Sequence, residues 1–179
     1  DYPILDLICG KQATTPRGTG KVSSRFAVFP EQLQEALREY ALAGGSLIVS
    51  GANIGTDISE SIYIDLLSDD KEELAYRKKA ATFAAEVLGY KAPGQRNSTG
   101  SFHNSLNPDC YSVENPDGIV PSDNRGKTVI RYKDTGISAG TAFDSGTYKC
   151  ICIGFPIEAV REEKEMEHVF EYCLDYLKK

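Results

Sequence analysis

The sequence predicts an α/β domain with a mainly parallel sheet, and three observations carry that expectation. Apolar runs suited to buried strands ("YPILDLICG", "SLIVS", "TYKCICIG") alternate with segments of helical period, as in a sheet flanked by helices. The helical segment "FPEQLQEALREYALAGG" ends only a few residues before the next apolar run, which is the spacing of an α/β unit. The last two strand-like runs are separated by Asp144-Ser145-Gly146, a short Gly-containing connection that predicts a β-hairpin near the C-terminus.

Taken in order, "YPILDLICG" is a strand closing on Gly10. "KQATTPRGTGKVSS" lacks periodicity and is rich in Gly, Thr and Ser, so it reads as a long loop of the kind that often carries function. In the first helix, Pro30 suits the opening position, Glu31 suits the positive end of the dipole, and Gly44 is the stop. Leu33, Leu37, Tyr40 and Ala41 make its apolar stripe. "SLIVS" is the second strand. Residues 58–68 carry Ile58, Ile62 and Leu66 at helical spacing. "SDDKEELAYRKKAATFAAEVLG" is a stronger helix with an acidic first turn, Leu74, Ala81, Ala84, Ala85 and Leu88 inward, and Gly89 as stop. Its "YRKK" run at 76–79, the only basic cluster, reads as a solvated face. From 90 to 125 the chain turns to Asn, Ser, Pro, Asp and Gly, which fits either short strands joined by turns or an ordered excursion over one face. "TVIRY", "ISAGTAF" and "TYKCICIG" are strands. A closing helix places Met166, Val169, Phe170, Cys173, Leu174 and Leu177 at i, i+3, i+4 spacing. Nothing marks a boundary, so residues 1–179 read as one domain.

Composition narrows the function classes. A chain of 179 residues with 41% apolar residues can bury one good core. No apolar run approaches the roughly 20 residues that a membrane-spanning helix needs. A net charge of −6 and a pI near 5.0 argue against a nucleic-acid partner. The chain opens on Asp1 rather than Met, as a processed protein or a piece of a larger chain would. Five cysteines form no CxxC pair. Cys9, Cys150 and Cys152 lie in apolar runs and Cys173 on an apolar helix face, so they read as core. The two histidines are far apart, which gives no metal-ligand cluster, and no cofactor is expected.

Ligands of open α/β sheets bind beyond the carboxyl ends of the strands. Three segments should meet there: Gly10-Lys11-Gln12, the turn from Gly51 to Asp57, and "GFPIE" at 154–158. "SGANIGTD" has the frame of a Gly-x-nucleophile-x-Gly elbow, with Asn53 at the centre. Gly51 and Gly55 can serve only a tight turn and close packing, with Asn53 tolerating strained geometry. Alternatively Asn53, the Thr56 hydroxyl, Asp57 and the turn amides line a pocket for a sugar or peptide. Phe102, Tyr111 and Tyr132 offer either a stacking surface or packing. Asn97-Ser98-Thr99 fits a glycosylation sequon, a tripeptide that more often arises by chance.

"DLICGKQ", "GGSLIVSGANIGTD", "SAGTAF" and "IGFPIEAV", in this order and spacing, resemble the glutamine-amidotransferase-like domain of large proteins named as xanthan lyases in anaerobic bacteria. The similarity runs over most of the chain and is weakest between about 90 and 125. It implies a three-layer sandwich of flavodoxin or class I amidotransferase type. It also implies further βα units ahead of the first strand here, without which an open sheet edge would need an upstream segment or a second copy to cover it. Class I amidotransferases place Cys in a Gly-x-Cys-x-Gly elbow and His and Glu in a distal Phe-His-Pro-Glu run, for thiolate attack on an amide. The matching positions here are Asn53 in the elbow and Phe155-Pro156-Ile157-Glu158 in the distal run, so the Glu remains without Cys or His.

The resemblance therefore implies a catalytically degenerate module. It would be a scaffold or binding domain of a larger polysaccharide- or cell-wall-active protein that is secreted, periplasmic or on the cell surface. The rest of that polypeptide, a polysaccharide or peptide, or a second copy would be its partners. The alternative is a hydrolase or xanthan-type lyase. It would use a Ser50, His103 and Glu158 triad, or Tyr and Arg residues of the middle region as base and cation. His168, within the last helix, reads as solvated.

Overall fold

The structure, a computed structural model, describes residues 2–14, 26–59, 71–97 and 111–178. Its elements are β1 (Ile4–Gly10), α1 (Glu31–Leu42), β2 (Ser46–Gly51), α2 (Lys71–Phe83), β3 (Tyr90–Lys91), β4 (Val120–Pro121), β5 (Gly126–Arg131), β6 (Ser138–Asp144), β7 (Lys149–Ile153) and α3 (Glu163–Lys178). Five strands form one sheet in the order β1-β2-β7-β6-β5, and β3 and β4 pair separately.

The sheet is mixed, which corrects the expectation of a mainly parallel one. β1 with β2 and β2 with β7 are parallel, whereas β7 with β6 and β6 with β5 are antiparallel. Connection length is the cause. Residues 145–148 join β6 to β7 as the expected hairpin, closed by Ser145 N–H on Tyr148 O at 3.0 Å and Gly146 N–H on Asp144 Oδ1 at 2.9 Å. Residues 132–137 join β5 to β6 as a second tight turn, with Gly136 N–H on Tyr132 O at 2.8 Å. A parallel neighbour needs a crossover of a dozen or more residues, and neither link is long enough.

Both faces of the sheet are packed by helices. Leu47, Val49, Phe143, Cys150 and Cys152 face α1 (Leu37, Ala41), α2 (Ala80, Phe83) and Ala84 just after it. Ile48, Ala142, Ile151 and Ile153 face Cys173 and Leu177 of α3. The central β2 and β7 are therefore apolar on both sides, the usual composition of strands buried on two faces. The four described cysteines, Cys9, Cys150, Cys152 and Cys173, are buried and unpaired by disulfide. Each serves as a core residue.

α2 departs from the helical stripe read from sequence. It passes into a π turn, Ala84–Leu88, and stops at Gly89 with φ +75°. The wider turn brings Val87 inward together with Leu88, while Ala85 within it, and Leu74 and Ala81 ahead of it, are half-buried. Of the "YRKK" run only Lys78 and Lys79 are exposed; Arg77 is buried. Of the helix expected over 58–68, Ile58 ends a single 3-10 turn, Thr56–Ile58, and residues 60–68 lie outside the described part. The described parts of the middle region combine both readings, a two-residue ladder and an Arg96–Asp117 bridge between irregular segments. Among the described residues no helix is long and apolar enough to cross a membrane, and β1 forms a sheet edge.

Candidate functional site

The ends of β1, β2 and β7 converge as anticipated. Ala52 N–H donates to Gly10 O at 2.8 Å, which presses the first two strand ends together. A Cβ on Gly51 would lie 2.8 Å from Cys9 Cβ, and one on Gly55 would lie 3.2 Å from Asp117 Oδ2. Gly55 has a right-handed backbone, φ −92°, so it is needed for close approach and not for a left-handed turn. Asn53 stands at the tip. Its Nδ2 donates to Lys11 O at 3.0 Å, and its Oδ1 accepts from Arg96 Nη2 at 2.9 Å. Arg96 Nη2 also donates to Asn115 O, and Arg96 Nε sits 3.2 Å from Asp117 Oδ1.

Two buried carboxylates and an arginine hold the turn from inside. Asp117 Oδ2 accepts from Gly55 N at 2.8 Å and Thr56 N at 2.6 Å, and Oδ1 accepts from Thr56 Oγ1. It thus caps the unsatisfied amides that open the 3-10 turn. Burial pushes the Asp117 carboxyl up to about 6, against the opposing pull of Thr56, Arg96 and Gly55. Asp57 accepts from Thr14 N at 2.6 Å, Val28 N at 2.9 Å and Tyr76 OH at 2.8 Å. Burial, and then the negative charge of Asp57, raise the Tyr76 hydroxyl far above its usual range, so it remains a donor. Arg77 Nη1 donates to Thr56 O, Asp57 O and Ser59 O, and Arg77 Nη2 pairs with Glu73 at 2.8 Å. Tyr90 OH donates to Ile54 O at 2.8 Å.

Of the five residues expected to bind a ligand, Gly51, Gly55, Thr56 and Asp57 are buried. The Thr56 and Asp57 side chains are occupied in supporting the turn. Asn53 is the one that reaches the surface, beside Arg96 and the exposed Lys11–Glu114 pair.

After β7, a Cβ on Gly154 would lie 2.1 Å from Asp117 O. The two backbones touch there, and Asp117 N–H donates to Gly154 O at 2.7 Å. Tyr132 is buried, with its hydroxyl on Asp117 O at 2.8 Å and its ring 6.1 Å from that of Phe155. It is packing, and not a stacking platform. Tyr111 is partly exposed and donates to Glu158 Oε1 at 2.5 Å. Glu158 lies in a short 3-10 turn, Ile157–Ala159. It shares a cavity of about 230 Å³ with Ser50, Asp6 and Glu167. The structure thus brings Ser50 and Glu158 to one site. His103 lies outside the described residues, as do Phe102, Ser98, Thr99 and Cys110. His168 is exposed on α3.

The described thiols offer no nucleophile. Burial pushes Cys9 and Cys173 up to about 12, and raises Cys150 and Cys152 further, so none is a thiolate near neutral pH. No group of three or more His, Cys, Asp or Glu residues among the described ones could hold a metal ion.

Sequence reasoning missed Arg77 and Asp117, and offered Arg96 only as one of the Arg residues of the middle region that could serve a lyase as cation. The only traces were Glu73 and Arg77 at i, i+4 in a helix, and Asp117 within the turn-like "NPDG". None of the family profiles, curated proteins and solved structures compared with the chain matches it.

Proposed function

We propose that the chain is a non-catalytic binding module of glutamine-amidotransferase-like ancestry, related to the domain of that type in the proteins named as xanthan lyases. Its sandwich would be a variant of the flavodoxin or class I amidotransferase type. It would serve a larger exported protein that acts on polysaccharide or cell-wall material. One observation carries this reading. The residue at the tip of the elbow frame is Asn53, and its carboxamide is held between Lys11 O and Arg96. A carboxamide is no nucleophile, and this one is fixed at both ends by hydrogen bonds. The rim around it (Asn53, Arg96, Lys11 and Glu114) offers donors and acceptors of the kind that bind sugar hydroxyls or peptide amides.

The test pairs turnover with binding. Purified protein is incubated with glutamine, aryl esters and uronate polysaccharides, and titrated with oligosaccharides and short peptides. The expected result is no turnover above the blank, with saturable binding weakened about tenfold by Asn53→Ala or Arg96→Ala. A turnover abolished by Glu158→Gln would overturn the proposal in favour of a hydrolase or lyase. The cavity shared by Ser50 and Glu158 is the one observation that favours a hydrolase. Against it, the Ser50 hydroxyl has no hydrogen-bond partner among the described residues to act as its base.

A further inference from the structure

The cavity at Ser50 lies on the α3 face of the sheet. The parallel register of β1 and β2 sets Asp6 beside Ile48 and Ile8 beside Ser50, so these side chains share one face. The loop after β7 contributes Ile157 and Glu158, and the first turns of α3 contribute Met166, Glu167 and Phe170. Three independent features point to a ligand.

The first is an apolar wall left open. Ile8 is 60% exposed and Phe170 37% exposed, and both border a concave site, where exposed large apolar side chains commonly mark binding. The second is charge. Asp6, Glu158 and Glu167 all line the cavity. Asp6 has no cation partner among the described residues. Burial, and then the nearby Glu158, raise its carboxyl above the usual carboxylate value. The third is Ser50, fully buried, with an Oγ that makes no hydrogen bond among the described residues. A buried hydroxyl left unpaired costs roughly 1–3 kcal/mol, a cost that a ligand donor would remove.

We propose that this cavity receives a primary alkylammonium group, with its charge at Asp6 and Ser50 Oγ and its apolar chain along Ile8, Met166 and Phe170. The assignment goes beyond the binding-module reading and does not depend on it. The carboxylates exclude an anion. A bare divalent ion is a poor occupant, because the apolar wall gives it no ligands and the described residues form no metal-binding cluster. A free amine and a lysine side chain present the same chemistry, and the experiment separates them.

The full chain is titrated with n-hexylamine, 1-hexanol and Nα-acetyl-lysine methylamide, followed by calorimetry and by NMR shifts of Ile8 and Met166. Hexylamine or the lysine derivative is expected to saturate, and the tighter of the two identifies the source. Hexanol is expected to bind at least about tenfold more weakly. Asp6→Asn is expected to weaken the ammonium ligand about tenfold. Ser50→Ala should weaken it several-fold without lowering the unfolding midpoint. Equal affinity for hexanol would overturn the proposal, since it would show an apolar groove indifferent to charge. Unchanged affinity in both variants, or no saturation at concentrations on the order of 10 mM, would also overturn it.

Discussion

Arg77 is 4% exposed, yet its guanidinium serves three backbone carbonyls and a carboxylate at once. Removing one partner of a buried ion pair strands the other, at a cost of about 3–5 kcal/mol. Arg77→Met, which also leaves three buried carbonyls without their donor, is expected to lose stability of that order in urea unfolding. Asp117 sets a pH dependence. Its folded carboxyl titrates at about 6 against an ordinary 3.8, so the folded state holds the proton more tightly. The stability it contributes is fully present below about pH 4 and is lost as pH rises through about 6. Relative to Asp117→Asn, the parent chain is expected to lose on the order of 3 kcal/mol between those limits, measured by denaturant unfolding across the range. Asn53 and Glu158 were legible in the sequence because each sits in a short local frame. Arg77 was not, because a charge on a helix is normally placed in water. Its burial is tolerable only where three carbonyls converge, and that convergence is tertiary. Asp117 went unread for the same reason, since its partners lie some sixty positions away.

At the scale of elements, the parallel half of the sheet followed from helix-to-strand spacing, and the hairpin from its Gly-containing link. The antiparallel half was implied by that hairpin but was outweighed by the expectation of a uniform α/β sheet. The phase of α2 could not be read, because a π turn is set by how the helix docks and not by composition. Gly154 is where element packing is tightest. Gly154→Ala is expected to cost about 3 kcal/mol or more, since the added carbon meets the Asp117 carbonyl. Gly136→Ala, with open space around it and only a left-handed backbone to resist it, should cost about 1–2 kcal/mol. Thermal unfolding compares the two. The strand and helix cysteines predict a chemical result: in a Cys110→Ser variant, Ellman's reagent is expected to find no fast-reacting thiol until the protein is unfolded.

For the whole molecule, the consequence lies at β1. It is a sheet edge among the described residues, and Tyr2 and Ile8 are 85% and 60% exposed. An apolar open edge invites another strand. Sedimentation velocity is expected to show concentration-dependent association of the parent chain. Ile8→Lys should abolish it while changing stability by no more than about 0.5 kcal/mol.

The glycine turn also has a place in time. Its seven residues are contiguous, yet the carboxylate that caps Gly55 and Thr56 arrives from 62 and 61 positions downstream, and the hydroxyl on Ile54 from 36. A turn so supported cannot stand until the segment around Asp117 has docked on the strand ends, so it is among the last parts to take shape as the chain folds. Amide exchange at Gly55 and Thr56 should then follow the undocking of the segment around Asp117 and not fraying of the turn alone.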